Sequence, residues 1–130
     1  MVKVRPLEQK RLLATAGRHQ LVTDRKIDDG GSDTGCTSGE LLLVAIGSCT
    51  TGSVRTFLRD TGLPTDRLEV SVDYEPPAQP GERDTISIVI GLPADILAQQ
   101  SDAILEAARG GGVVSRMLLG SHLAIRCQPV

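Results

Sequence analysis

A chain of 130 residues with 40% hydrophobic and 23% charged side chains has the make-up of one globular domain, which excludes a disordered segment or two ordinary domains. A net charge of -2 provides no broad basic field for nucleic acid, and 2% aromatics (Tyr74 and Phe57) provide no stacking platform for single strands. Three cysteines (Cys36, Cys49, Cys127) without a CxxC pair, and two distant histidines (His19, His122), argue against a disulfide scaffold and a structural metal site, so no metal and no bound cofactor is expected.

The N-terminal stretch MVKVRPLEQKRLL carries charges throughout and lacks the apolar core of a secretory signal. The apolar run Leu41 to Ile46 is too short to span a bilayer. A cytoplasmic protein, independent of membranes and nucleic acid, is the expectation. Residues 1–36 read as short strands with turns. Arg11 to Thr15 and Arg18 to Asp24 flank Ala16-Gly17 as a hairpin, and Asp28 to Asp33 is a dense turn signal.

Residues 37–62 change character. Thr37-Ser38-Gly39-Glu40 matches a capping box, with Thr37 as N-cap. The run from Leu41 onward is helical in pattern, stopped by Gly62 and followed by Pro64. Its first half is apolar nearly all round, which predicts a long, buried central helix. Gly47 and Gly52 flank Cys49, and each costs about 1 kcal/mol against alanine in a helix interior. A close backbone approach, or room for a ligand, would account for them.

Residues 67–130 continue with two strands of period two: Leu68 to Tyr74, and the series Ile86, Ile88, Ile90, Leu92. The Pro- and Gly-containing link Glu75 to Glu82 joins them as an antiparallel pair. A second helix begins near Pro93, with Ile96, Leu97, Ile104, Leu105 and Ala108 as its apolar stripe, and Gly110-Gly111-Gly112 breaks it. Val113 to Leu119 reads as a short helix and Ser121 to Pro129 as the last strand. The order is that of a single α+β domain.

The stretch from Gly30 to Thr50, with a glycine-containing loop and then E-L-L-x-x-A-x-x-x-C ending at Cys49, resembles the OsmC/Ohr family; Gly62-Leu63 and the strand Leu68 to Tyr74 extend the likeness. The resemblance implies an OsmC-like fold of antiparallel sheets around a long buried helix. It also implies an intertwined homodimer with sites at the interface. The implied chemistry is reduction of organic hydroperoxides by a reactive cysteine, with a second cysteine closing a disulfide and an external thiol or dithiol as reductant. One departure stands out. The segment that carries the family's second cysteine corresponds here to Gly112-Val113-Val114-Ser115-Arg116, which puts Gly112 in that cysteine's place.

Cys49 is therefore the expected catalytic thiol. Its thiolate would attack a peroxide oxygen and become a sulfenic acid. A free thiol has a pKa near ~8.5 and needs a nearby cation or donor to ionise. Otherwise Cys49 is a small buried hydrophobe. Arg18 and Arg116 are the candidate cations, against the ordinary reading of a solvated arginine. Glu40 would orient an arginine or simply complete the capping box. Nine residues at ~100° each put it on the face of the helix opposite Cys49, about 13 Å along the axis. Cys127 shares a strand face with Leu123 and Ile125, a structural pattern. Cys36, just before the helix, is an alternative reactive thiol through the helix dipole.

The leading expectation is a thiol peroxidase that stops at sulfenic acid until an external thiol resolves it. Its rivals are a non-catalytic OsmC-like dimer binding a small apolar ligand between the long helices, and a thiol redox sensor or sulfur carrier.

Overall fold

The fold was analysed in a computed structural model, which describes residues 1–110, 112–117 and 123–129. The elements run β1 (Val2–Pro6), β2 (Leu12–Ala16), β3 (His19–Thr23), α1 (Ser38–Asp60), β4 (Glu69–Glu75), β5 (Thr85–Leu92), α2 (Ala94–Gly110), α3 (Val113–Met117) and β6 (Leu123–Pro129), with a single 3-10 turn at Ile27–Asp29. The chain divides into two compact units, Met1–Leu42 and Leu43–Val130.

In the N-terminal unit, β1, β2 and β3 form an antiparallel meander. The register Val4↔Ala14↔Leu21 aligns apolar side chains across one face. Val2 and Val4 remain exposed on it. The segment that follows is organised by Asp24, whose carboxylate is buried. It accepts hydrogen bonds from the Arg25 and Ser32 amides, and from both the amide and the hydroxyl of Thr34.

The start of α1 is the predicted capping box. Thr37 Oγ1 accepts from the Glu40 amide at 3.2 Å, and Glu40 Oε2 accepts from the Thr37 amide at 2.7 Å. At the other end Gly62 turns left-handed (φ 73°), and the Leu63 amide reaches back to the Leu58 carbonyl at 2.8 Å. Between them α1 buries the stripe Ile46, Thr50, Val54 and Leu58, one residue per turn. The chain by itself covers only that stripe. Leu42 and Val44 stay about half exposed, at 47% and 55%. By length and composition α1 is apolar enough to cross a membrane. Its buried stripe instead meets Ile88, Ile90, Leu92, Ile96, Ile104 and Ala108 in the hydrophobic core.

The second sheet has the order β4-β5-β6. Its middle strand is buried from Ser87 to Leu92 on both faces. The expectation of antiparallel sheets holds for β4–β5 and for the N-terminal meander, but β6 pairs with β5 in parallel, Ile88 opposite Ile125. The reason is the connection. A helix, α2, lies between β5 and β6, and a crossover of that kind returns the chain in the same direction. α2 opens on Pro93, whose carbonyl accepts from the Ile96 and Leu97 amides, each at 3.1 Å.

Candidate functional site

Cys49 lies at the middle of α1, partly exposed, and its thiol is free. On one side stands Gly112, just after α2. A Cβ on Gly112 would overlap Cys49 Sγ, so the sulfur occupies the volume a side chain at 112 would need. A side chain at 112 would require the sulfur or the backbone to move away. The residue that the family resemblance sets in the second cysteine's place is thus in contact with the first.

Cys49 and Gly112 together line an open groove of about 510 Å³, bounded also by Gly52, Ser53 and Thr56 of α1 and by Ala107 and Val113. A Cβ on Gly52 would meet nothing within 4 Å, so this glycine widens the groove rather than admitting a neighbour. Gly47 is different: a Cβ there would come within 3.1 Å of Val72 Cγ2, which marks the close approach of α1 to β4. The two costly glycines therefore have separate uses, one for packing and one for space beside the thiol.

Three hydroxyls near Cys49 bond back onto the helix. Thr51 donates to the Gly47 carbonyl at 2.7 Å, Ser53 to the Cys49 carbonyl at 3.1 Å, and Thr56 to the Gly52 carbonyl at 2.9 Å. Among the described residues no charged side chain lines this groove. Its wall is chiefly apolar or uncharged, which suits a small organic group better than an ion.

The other expected site residues lie as follows. Glu40 is at the start of α1, where its carboxylate receives the Thr37 amide and a 3.0 Å ion pair from Lys26 Nζ. The Thr37 hydrogen bond and then Lys26 hold its carboxyl below the ordinary value, and Lys26 is raised in turn by Glu40 and Asp33. Both side chains are about half exposed, so the pair adds little to stability. Arg18 is exposed in the β2–β3 turn of the N-terminal unit. Arg116 belongs to α3, and its side chain is outside the described residues. Cys36 is exposed, and its carbonyl accepts from the Asp24 amide at 3.2 Å. Cys127 lies opposite Ile90 on β6, packed against the core, and burial pushes its thiol up. Among the described residues no group of His, Cys, Asp and Glu could hold a metal ion.

Sequence reading missed Arg55. It lies on α1 at the edge of a second groove of about 610 Å³ between α1 and β4, bounded by Leu43, Val44, Val70 and Val72. The available signal was a cation somewhat over one and a half turns after Cys49, with Arg59 one turn further on the same face.

Comparison with known proteins bears on this site. The structure is similar to that of an osmotic stress induced and detoxification response protein of Psychrobacter arcticus, with a TM-score of 0.79 and 17% identity over 98% of this chain and 94% of that one. It is similar to an OsmC-like protein of Mycoplasma pneumoniae, with a TM-score of 0.77 and 13% identity over 100% and 96%. The organic hydroperoxide resistance protein OhrB of Bacillus subtilis gives 0.64 and 13% over 100% and 96%. These likenesses establish the fold. Comparison with curated proteins gives no match. The profile of the OsmC-like proteins matches residues 30–128, which contain the whole of α1, Cys49 and Gly112; the chain belongs to the OsmC-like protein family.

Proposed function

We propose that this protein reduces small organic hydroperoxides through Cys49, in the cytoplasm, without an internal second thiol. What supports this reading is one contact: Cys49 lines an uncharged open groove, and in that groove its sulfur lies against the bare backbone of Gly112. The peroxide enters from the groove, and sulfur attacks its terminal oxygen. The alcohol leaves, and Cys49 becomes a sulfenic acid. Arg18 or Arg116 supplies the positive charge that holds the thiolate, and Glu40 fixes the start of α1. An external thiol or dithiol returns the enzyme to its reduced state.

The test is stopped-flow consumption of cumene hydroperoxide with excess dithiol. Cys49→Ser should lower turnover at least about a hundredfold, because removing a covalent nucleophile removes the step itself. Turnover unchanged by the substitution would transfer the chemistry to Cys36 or Cys127. No turnover in the wild type would favour an apolar-ligand binder or a thiol sensor on the same scaffold.

The working unit we propose is a homodimer. The face of α1 bearing Leu42, Val44 and Ala45 is exposed in the single chain, as are Val2 and Val4 on the N-terminal sheet. Apolar faces of that kind ask for cover. Sedimentation equilibrium should return twice the chain mass, and Ala45→Glu should return the monomer. A wild type that sediments as a monomer would exclude this arrangement.

A further inference from the structure

The second thiol of a two-cysteine peroxidase prevents sulfenic acid from meeting more peroxide. Here Gly112 stands where that thiol is expected, and the group it offers to Cys49 is backbone. Sγ fills the side-chain position of Gly112, and covalent geometry puts the amide nitrogen about 2.5 Å from that position, so the nitrogen lies within roughly 4–5 Å of the sulfur. The amide of the next residue along, Thr50, lies inside α1 and is committed to a helical carbonyl. Gly112 lies outside both α2 and α3, and without a side chain its backbone is open to the sulfur.

Resting on the peroxidase reading, we infer that the Gly112 backbone nitrogen is the internal resolving group, closing a cyclic sulfenyl amide with oxidised Cys49. The atoms balance in two steps. An organic hydroperoxide gives its terminal oxygen to Cys49 and leaves as the alcohol, which oxidises the thiol to sulfenic acid. The Gly112 nitrogen then attacks sulfur. The S–O bond breaks, an S–N bond forms, and the hydroxyl leaves with the amide proton as water. An external thiol opens the S–N bond to a mixed disulfide and returns the proton to nitrogen. A second thiol then releases reduced Cys49 and carries away the oxidising equivalents as its own disulfide. The ring spares Cys49 from sulfinic acid while keeping it reducible.

The three cysteines make this readable in the wild-type chain. The protein is treated with one equivalent of cumene hydroperoxide, then with a maleimide under denaturing conditions, and weighed intact. The expected product is a monomer two hydrogens lighter that still takes two maleimides, because one sulfur is in the ring and two remain free. Fragmentation should join the Cys49 peptide to the peptide containing Gly112, and dithiothreitol should reverse the change. A two-hydrogen loss that takes only one maleimide would be a disulfide and would overturn the inference. So would a product carrying one or two added oxygens and no crosslink, although the peroxidase reading would then survive. Peroxide left unconsumed, with three maleimides bound, would overturn both.

Discussion

The substitution Gly112→Cys should convert the site to a two-thiol one. One equivalent of organic hydroperoxide then leaves two of the variant's four thiols reactive, with Cys49 joined to the introduced cysteine as a disulfide. The geometry supports this. The Cys49 sulfur is in contact with the Gly112 backbone, so the two α-carbons fall within the roughly 4.4–6.8 Å that a disulfide spans. The starting contact is too close, since a Cβ at 112 overlaps the sulfur. The pair must separate by about an ångström before an unstrained bond forms. Gly110, at the end of α2 and two residues before the substitution, can absorb that shift. A thiol held beside a sulfenic acid also reacts faster than a free one, so loss of the sulfenic acid should quicken by about tenfold or more. Resistance to overoxidation should rise with it. If the introduced thiol stays open to alkylation after oxidation, residue 112 is not beside Cys49 in solution, and the sulfenyl amide falls with it.

The sequence carries these features unequally. α1 was legible at both ends, because its capping box and its left-handed glycine stop are local signals, each read within four residues. The alternation of β4 was legible because Val70 and Val72 face inward while Ser71 and Asp73 face solvent. β1 was not, since a short exposed strand ending in Pro6 buries nothing that would leave a pattern. The parallel pairing of β6 was hidden for another reason: direction is set by what the chain does between strands, not by the strand itself. Cys49 and Gly112 were picked out by likeness to a family, and their contact is a property of the fold. Asp24 escaped notice because its partners, Ser32 and Thr34, lie eight and ten residues on. A carboxylate followed by glycines and hydroxyls is an ordinary loop until its amides converge.

That carboxylate should set the acid limit of the N-terminal unit. Asp24 is only 4% exposed. Oδ1 accepts from the Arg25 amide at 2.8 Å, and Oδ2 accepts from the Ser32 amide at 3.1 Å, the Thr34 amide at 3.2 Å and the Thr34 hydroxyl at 2.9 Å. Burial pushes its carboxyl up, but the hydrogen bonds from Arg25, Thr34 and Ser32 outweigh burial and hold it below the ordinary value. The folded carboxyl therefore holds its proton less tightly than the unfolded one, whose pKa is about 3.9. Its contribution is complete above that value and is lost as pH falls through the lower, folded one. Asp24→Asn removes the charge and turns an amide donor toward a set of donors, so the variant should melt several degrees below wild type at neutral pH. The gap should narrow once the pH falls below the range of ordinary carboxylates, because the wild type then loses the same charge. Thermal unfolding of both proteins from neutral to acid pH reads this directly. A gap that does not change with pH would mean that the shape of the side chain, and not its charge, holds the loop. The loop matters beyond its own stability, because the Asp24 amide also bonds the Cys36 carbonyl, one residue before the Thr37 cap of α1. Loosening it should fray the first turn of the helix that carries Cys49, whereas the thiol itself, more than two turns further along, should keep its contact with Gly112.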